Sequence, residues 1–245
     1  MTPIVILSGE AGTGKDTVAA MLSLHGGVAI GQADALKHFV RYFYDVDNET
    51  LFGASEKREK PISLKPGFLA LPALIEKALG SPAGEALFDY VRNSPKSVPC
   101  RKILQEIGTD VVRNIDRDIW INIALQESRR ILAGGYLYDR IAGGAFHDEV
   151  PPPNFVVITD GRFANEVVAV KASGGVSVRI ARQIDKTHEK YSHSSEKEAS
   201  RIPLNFFDYM LVNDGGIEDL KQQVGLLASK LKRKPDTIRN PKEYR

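Results

Sequence analysis

One cysteine, one tryptophan and three methionines in 245 residues leave this sequence poor in the residue types that staple small folds or bind soft metals. Cys100 stands alone, so an intramolecular disulfide framework and a cysteine-rich zinc site are both excluded. No apolar run approaches the ~20 residues that span a bilayer, and the segment from Met1 to Leu7 enters a strand-like stretch with no basic leader. A cytoplasmic protein is the expectation. A strong excess of one charge is missing too, since 33 basic residues face 31 acidic ones, and this argues against a surface built throughout to hold nucleic acid. From Lys230 onward seven basic residues stand against two acidic ones, a net of +5, which leaves −3 for the rest of a chain whose formal charge is +2. Residues 232–245 therefore read as a solvated basic tail. What is present, 42% hydrophobic and 26% charged residues, fits one enlarged globular domain, expected over 1–235.

The order of elements points to an α/β doubly wound parallel sheet. Ile4 to Leu7 is a buried strand without polar alternation, followed by a glycine-rich turn, a helix from Lys15 to about Leu24 and a second strand near Val28 to Ile30. Ala33 to about Tyr44 reads as a helix, with Phe39, Tyr42, Phe43 and Tyr44 mostly for packing. Asn48 to Pro66, charged and broken by Gly53, Pro61 and Pro66, reads as loop. Helices are expected over Leu69–Leu79, Glu85–Arg92, Arg101–Arg113 and Ile119–Leu132. Gly134 to Pro153 reads as a surface excursion with at most a short hairpin. Phe155 to Thr159 is the best buried strand; Asp160-Gly161-Arg162 leads from it into a helix ending at Ala172, and Val176–Ile180 follows as a strand. Gln183 to Pro203 is polar, a loop or short helices, before a last strand Tyr209–Val212 and a helix Ile217–Leu231. The core is thus expected over 1–33 and 154–231, with a helical insertion over 34–150.

Gly9-Glu10-Ala11-Gly12-Thr13-Gly14-Lys15-Asp16-Thr17 sits between a buried strand and a helix, the context a phosphate loop requires. Its backbone N–H groups and the helix N-terminus face a polyanion, and Lys15 reaches the β- and γ-phosphates as a point charge. The usual Ser or Thr after Gly-Lys is replaced by Asp16, so either Asp16 or Thr17 takes the Mg²⁺. A guanine-reading Asn-Lys-x-Asp motif is missing, as is a strand ending in Asp-Glu. Basic residues spread over later elements suit instead a kinase of small phosphorylated substrates, in which two polyanions must be brought in line. Arg101, Gln105 and Thr109, at i, i+4 and i+8, fall along one helix face, with Asp110 and Arg113 nearby. That is an inventory for gripping a phosphate and reading a base; a solvated polar face is the plainer alternative. Asp160 and Arg162, at the carboxyl end of a strand, could orient Mg²⁺ and bridge phosphates, or form a local salt bridge. His188 and His193 flank Tyr191 without a third ligand at useful spacing, Trp120 reads first as core, and Lys37 could point toward the cleft.

These residues resemble a family, the deoxynucleoside monophosphate kinases of tailed phages, relatives of adenylate kinase. The resemblance is carried by Ser8-Gly9 with Gly14-Lys15-Asp16-Thr17, Leu36-Lys37, Arg101 to Asp110, Asp118 with Trp120, Asp160-Gly161-Arg162, and Val212-Asn213-Asp214-Gly215. It implies a phosphate-loop kinase fold that transfers the ATP γ-phosphoryl group to a deoxynucleoside 5′-monophosphate. On matching positions it assigns Gly12, Thr13, Gly14, Lys15, Asp16, Thr17 and Arg182 to ATP, with Asp16 and Thr17 as the Mg²⁺ candidates. To the acceptor it assigns Leu36, Lys37, Arg58, Arg101, Gln105, Gly108, Thr109, Asp110, Asp118, Trp120, Asp160 and Arg162; Lys15, Arg101, Asp160 and Arg162 would act on the transferring group. Residues 183–203 would be a lid. The implied partners are ATP and deoxynucleoside monophosphates, with no membrane and no specific nucleic acid; a homodimer is left open, and a phage-encoded enzyme would work in the host cytoplasm. Alternatives are a kinase of another phosphorylated metabolite, of the phosphomevalonate or dephospho-coenzyme A type, or an ATP-binding module without transferase activity.

Overall fold

A computed structural model describes residues 3–65, 82–93, 97–182 and 194–231. Strand β1 (Ile4–Ser8) leads into α1 (Lys15–Leu24), β2 (Gly27–Gly31) and α2 (Asp34–Phe43). Short elements follow: β3 (Tyr44–Asp45), α3 (Asn48–Phe52), a 3-10 turn Ser55–Glu59 and β4 (Pro61–Leu64), then α4 (Pro82–Asn93) and β5 (Val98–Pro99). Helix α5 (Cys100–Gln105), a π-helical stretch Glu106–Val111 and α6 (Val112–Ile115) run on without interruption, and α7 (Ile119–Ala133) comes next. A hairpin of β6 (Tyr136–Asp139) and β7 (Gly143–Phe146) precedes β8 (Phe155–Gly161), α8 (Ala164–Ala172) and β9 (Val176–Ala181). The described chain ends with α9 (Ser194–Arg201), a 3-10 turn Leu204–Phe206, β10 (Tyr209–Val212) and α10 (Ile217–Leu231). Among the described residues no helix is long and apolar enough to cross a membrane.

The chain divides into two compact units, one of residues 1–31, 125–138 and 145–245, the other of residues 32–124 and 139–144. The first is built on a parallel sheet of order β10-β9-β1-β8-β2. The chain leaves β1 for β2 on one side and later returns through β8 to β9 on the other, so the order reverses around β1. At such a switch point the carboxyl ends of neighbouring strands diverge and open a crevice. Val5, Leu7, Phe155, Val157, Val178 and Ile180 form its core with Val18 and Leu22 of α1 and Leu220, Val224 and Leu227 of α10. The outer edge of β10 is blunted by Gln223, whose amide accepts from Val212 N at 3.0 Å and donates to Val212 O at 2.8 Å.

The second unit has its own core, made by Leu36, Val40 and Phe43 of α2 with Leu51, Ile62, Leu87, Val91, Ile103, Ile107 and Val112. It corrects the expectation of a loop over 48–66. The Asp47 carboxylate accepts from Thr50 N at 2.7 Å and starts α3, Leu51 and Ile62 turn into the core, and Gly53 and Pro61 bound elements instead of abolishing them. The helix expected over Leu69–Leu79 lies outside the described residues, as do His188, Tyr191, His193 and the tail 232–245. Of the expected lid, 183–193 lies outside them as well, and 194–201 is helical.

Cys100 is buried in this second core, and burial pushes its thiol up to about 11 against the downward pull of Arg58, Lys37 and Arg101. At pH 8 only about one thiol in a thousand is then thiolate. The native protein is expected to show no fast reaction with a disulfide reagent such as DTNB at pH 8, and one thiol on addition of guanidinium. Stoichiometric reaction of the native protein would contradict the burial.

Candidate active site

At the carboxyl end of β1 the chain wraps back on itself before α1. Gly14 has φ 99°, a left-handed conformation that a side chain resists, and it delivers the chain into the helix so that the first N–H groups of α1 stay open to a ligand. Lys15 does not extend to solvent: its Nζ donates to Gly9 O at 2.8 Å and Glu10 O at 2.9 Å and lies 3.7 Å from Asp160 Oδ1. The loop is tied internally by Thr13 Oγ1 to Glu10 O (2.9 Å) and from outside by Asn213, whose Nδ2 donates to Thr13 O at 2.9 Å while its N donates to Ala181 O at 2.8 Å. A cavity of about 480 Å³ opens beside it, lined by Gly12, Gly14, Lys15, Asp16, Thr17 and Arg182 with Asn213, Gly215, Ile217 and Leu220. Asp16 and Thr17 are exposed there, and their carboxylate and hydroxyl are the hard oxygen donors that Mg²⁺ prefers. Arg182 Nη1 reaches Gly12 O at 3.4 Å.

Asp160 owes its position to an irregularity between strands. Ile6 pairs with Ile158 and Ser8 with Gly161, so β8 spends one more residue than β1 over the same interval, and the extra residue is a bulge. Asp160 stands in it at φ 72°, the one non-glycine residue of positive φ among those described. Gly161 then fits against β1 where a Cβ would come within 2.8 Å of the Ile6 side chain. The bulge aims the Asp160 carboxylate at the strand end, where Oδ2 accepts from Arg162 Nε (3.0 Å) and Nη2 (2.7 Å) while Oδ1 faces Lys15. Glu166, buried, holds the turn from beneath by accepting from Arg162 N at 2.8 Å and Phe163 N at 3.0 Å. A strained backbone pinned from two sides around three charges is the kind of feature that persists at functional sites.

The remaining candidates lie in the second unit. Leu36 and Lys37 are buried on α2; Lys37 Nζ stands 3.9 Å from Asp34 Oδ1 and 5.1 Å from the centre of the Phe52 ring. Arg58 donates to the carbonyls of Leu51 (3.4 Å) and Gly53 (3.3 Å). Arg101 is held by the Glu59 carboxylate and by Ser55, through its O at 2.7 Å and its Oγ at 2.9 Å. Gly108 packs against Leu36 and its carbonyl accepts from the Trp120 indole at 2.9 Å. Gln105 and Thr109 are half-buried; Asp110 and Asp118 are exposed. The π-helical stretch corrects one reading: the α-helical stripe holds for Arg101 and Gln105, which precede it, and does not describe Thr109, which lies within its wider turns.

Spacing did not single out Asn213, Ile217 and Leu220 as cavity walls, although Asn213 belongs to a segment that carried the resemblance. Glu166 had a readable signal, a glutamate at the third position of a helix, where it reaches back to the preceding backbone.

A family model described as deoxynucleotide monophosphate kinase matches residues 74–224. The chain belongs to this family. The deoxynucleotide monophosphate kinase of Escherichia phage RB69 is 28% identical over 141 residues, 57% of this chain and 49% of the phage protein, so the alignment spans about half of that relative's length. A protein of Acanthamoeba polyphaga mimivirus, named as a candidate deoxynucleotide monophosphate kinase, is 26% identical over 226 residues, 90% of this chain and 93% of that protein. Among solved structures, shikimate kinase from Acinetobacter baumannii in complex with shikimate is similar at a TM-score of 0.42 and 14% identity, covering 96% of this chain and 97% of that one. The matched range of this kinase family contains Arg101 to Trp120, Asp160, Arg162, Arg182 and Asn213, and the phosphate loop precedes it.

Proposed function

We propose that this chain transfers the γ-phosphoryl group of ATP to a deoxynucleoside 5′-monophosphate, yielding the diphosphate and ADP. The observation that carries the reading is Lys15, fixed by two loop carbonyls beside the bulged Asp160, in a chain of this kinase family. The loop residues Gly12 to Thr17, with Arg182, are assigned to the ATP phosphates, and Asn213, Gly215, Ile217 and Leu220 to the rest of the nucleotide. Mg²⁺ takes most of its ligands from phosphate and water, so a protein oxygen of Asp16 or Thr17 suffices to hold it; when bound it neutralises charge on the β- and γ-phosphates.

The acceptor phosphate oxygen is already a nucleophile at neutral pH, so no covalent intermediate is required and the protein acts by position and charge. Lys15 supplies a cation to the transferring group. Arg162 does so from a turn whose backbone Glu166 fixes, and the Asp160 carboxylate keeps both cations oriented. Leu36, Lys37, Arg58, Arg101, Gln105, Gly108, Thr109, Asp110, Asp118 and Trp120 are assigned to the monophosphate. The substrates are free nucleotides, not nucleic acid, which places the enzyme in a cytoplasm, that of the host where the gene is viral.

The test is a coupled ADP-release assay with dAMP, dCMP, dGMP and dTMP, each reaction also resolved by anion-exchange chromatography. Equal amounts of ADP and a deoxynucleoside diphosphate are expected with at least one acceptor. ATP hydrolysis that rises with added DNA and yields ADP with no deoxynucleoside diphosphate would overturn the reading in favour of a non-transferase module.

A further inference from the structure

The chain that leaves β10 is tied down on its way to the phosphate loop. Gln223 of α10 pairs with both backbone groups of Val212, and Asn213 N donates to Ala181 O at 2.8 Å, which joins the turn to the end of β9. From there the Asn213 side chain meets the loop. Its Nδ2 donates to Thr13 O at 2.9 Å, and a Cβ on Gly14 would come within 2.5 Å of the same nitrogen. A carbonyl can be met only by a donor, so this contact fixes which end of the amide is nitrogen and turns the oxygen away from Thr13. Asn213 Oδ1 accepts no hydrogen bond among the described residues. The sealed polar atoms without a partner there are Ser8 Oγ, Gln32 Oε1 and His38 Nε2, so Asn213 Oδ1 is open, on a residue that lines the cavity.

The other walls on this side suit a flat apolar ring. Ile217 lines the cavity yet is 53% exposed, Leu220 lines it from the core, and Gly215 adds no side chain. With the phosphates on the loop, the base of the nucleotide falls to this wall. We infer that Asn213 is a specificity-determining residue for the donor nucleotide: its Oδ1 accepts from the amino group at C6 of adenine, and it opposes the oxygen that guanine carries at the same place. An amide free to turn over would serve either base, by offering its nitrogen to the guanine oxygen. This one is not free, because turning over would set Oδ1 against Thr13 O and forfeit the bond that holds the loop. The loop tie and the choice of base thus use the two ends of one side chain. The inference rests on the reading of this cavity as the ATP site.

The experiment measures kcat/KM for ATP, GTP, ITP, 2′-deoxy-ATP and 3′-deoxy-ATP at a saturating acceptor, with products separated by anion exchange. It compares the parent with Asn213→Ala and Asn213→Asp, and melting temperatures are recorded alongside. The parent is expected to prefer ATP to GTP by at least about tenfold and to treat ITP like GTP, since both carry an oxygen at C6. Both deoxy-ATP donors are expected within about threefold of ATP, because the contact is to the base. Asn213→Ala loses both ends of the amide: kcat/KM falls for every donor, and the ratio of ATP to GTP drops to within about threefold. Asn213→Asp keeps an acceptor and loses the donor to Thr13 O, so turnover falls while the preference for ATP stays. A parent that uses ATP and GTP alike, or a ratio unchanged in Asn213→Ala, overturns the inference and leaves the kinase reading standing. A loss with either deoxy-ATP as large as that with GTP moves the contact to the ribose and also overturns it. Isothermal titration with AMP-PNP and GMP-PNP reads the same ratio without transfer, and equal affinities in the parent overturn the inference. Absence of any deoxynucleoside diphosphate with every donor sinks the kinase reading instead, and the titration still decides the choice of base. Should Asn213→Ala fail to fold, Asn213→Ser is expected to narrow the ratio as well, and an unchanged ratio there counts against the inference.

Discussion

Replacing Lys15 by methionine is expected to lower kcat by about a thousandfold while the melting temperature stays within a few degrees of the parent. The magnitude follows from what the ammonium does: it is a fixed cation in a largely enclosed loop, and removal of one such preorganised group from phosphoryl or acyl transfer costs about 10²- to 10³-fold or more. The fold should survive because the methionine stem fills the space of the lysine stem. The lost ion pair with Asp160 leaves that carboxylate still engaged with Arg162. ATP affinity should fall far less than kcat, since the backbone N–H groups of the loop remain. Lys15→Arg is expected to be poor as well: Nζ meets Gly9 O and Glu10 O at 2.8 and 2.9 Å as a compact point charge, a geometry that a planar guanidinium does not reproduce. Stopped-flow or steady-state turnover with circular dichroism on the same samples checks this. A kcat within about tenfold of the parent would move the transfer site away from this loop.

The loop was legible because its signals are local. A run of four apolar residues, glycines at fixed offsets and a lysine at a helix start can be read without knowing what lies beside them, and β1, the loop and α1 appear where that reading puts them, α1 over Lys15–Leu24. What could not be read are features fixed by a partner distant in sequence. The bulge at Asp160 exists because β8 pairs with β1 out of step, so the geometry of Asp160 is set by Ile6 and Ser8. The segment 48–66 looked like loop because its charges and breakers outnumber its apolar residues; the few that matter, Leu51 and Ile62, act through burial in the core they share with residues of α2 and α4. The Asp34–Arg140 pair spans 106 positions and leaves no trace in periodicity. The π-helical stretch hides for a related reason, since Gly108 in its middle packs on Leu36 and bonds Trp120, contacts that no helical spacing announces. Local chemistry named the residues, and the tertiary structure decided which way they face.

Arg101→Ala is expected to raise the KM for the deoxynucleoside monophosphate by about two orders of magnitude and to leave the Kd for ATP within about twofold. A guanidinium that grips a phosphate makes charge-assisted hydrogen bonds of about 1.5–3 kcal/mol, and each 1.4 kcal/mol is tenfold. In the structure the same guanidinium is engaged by the Glu59 carboxylate and by Ser55, so an acceptor phosphate must compete with that carboxylate for its place. Both members of that ion pair are partly exposed, and exposed pairs are worth at most about 1 kcal/mol. The competition is therefore one that a doubly charged phosphate wins. Glu59→Gln removes the competing charge and keeps the side-chain length, and is expected to lower the acceptor KM by about threefold, within that limit on the energy of an exposed pair. Opposite signs for the two substitutions, measured with dGMP and dTMP under saturating ATP, are what distinguishes a phosphate-binding arginine from one that only ties Ser55–Glu59 to α5. In the structural case Glu59→Gln and Arg101→Ala would both loosen the same contact and move the acceptor KM in the same direction, with the melting temperature falling in both.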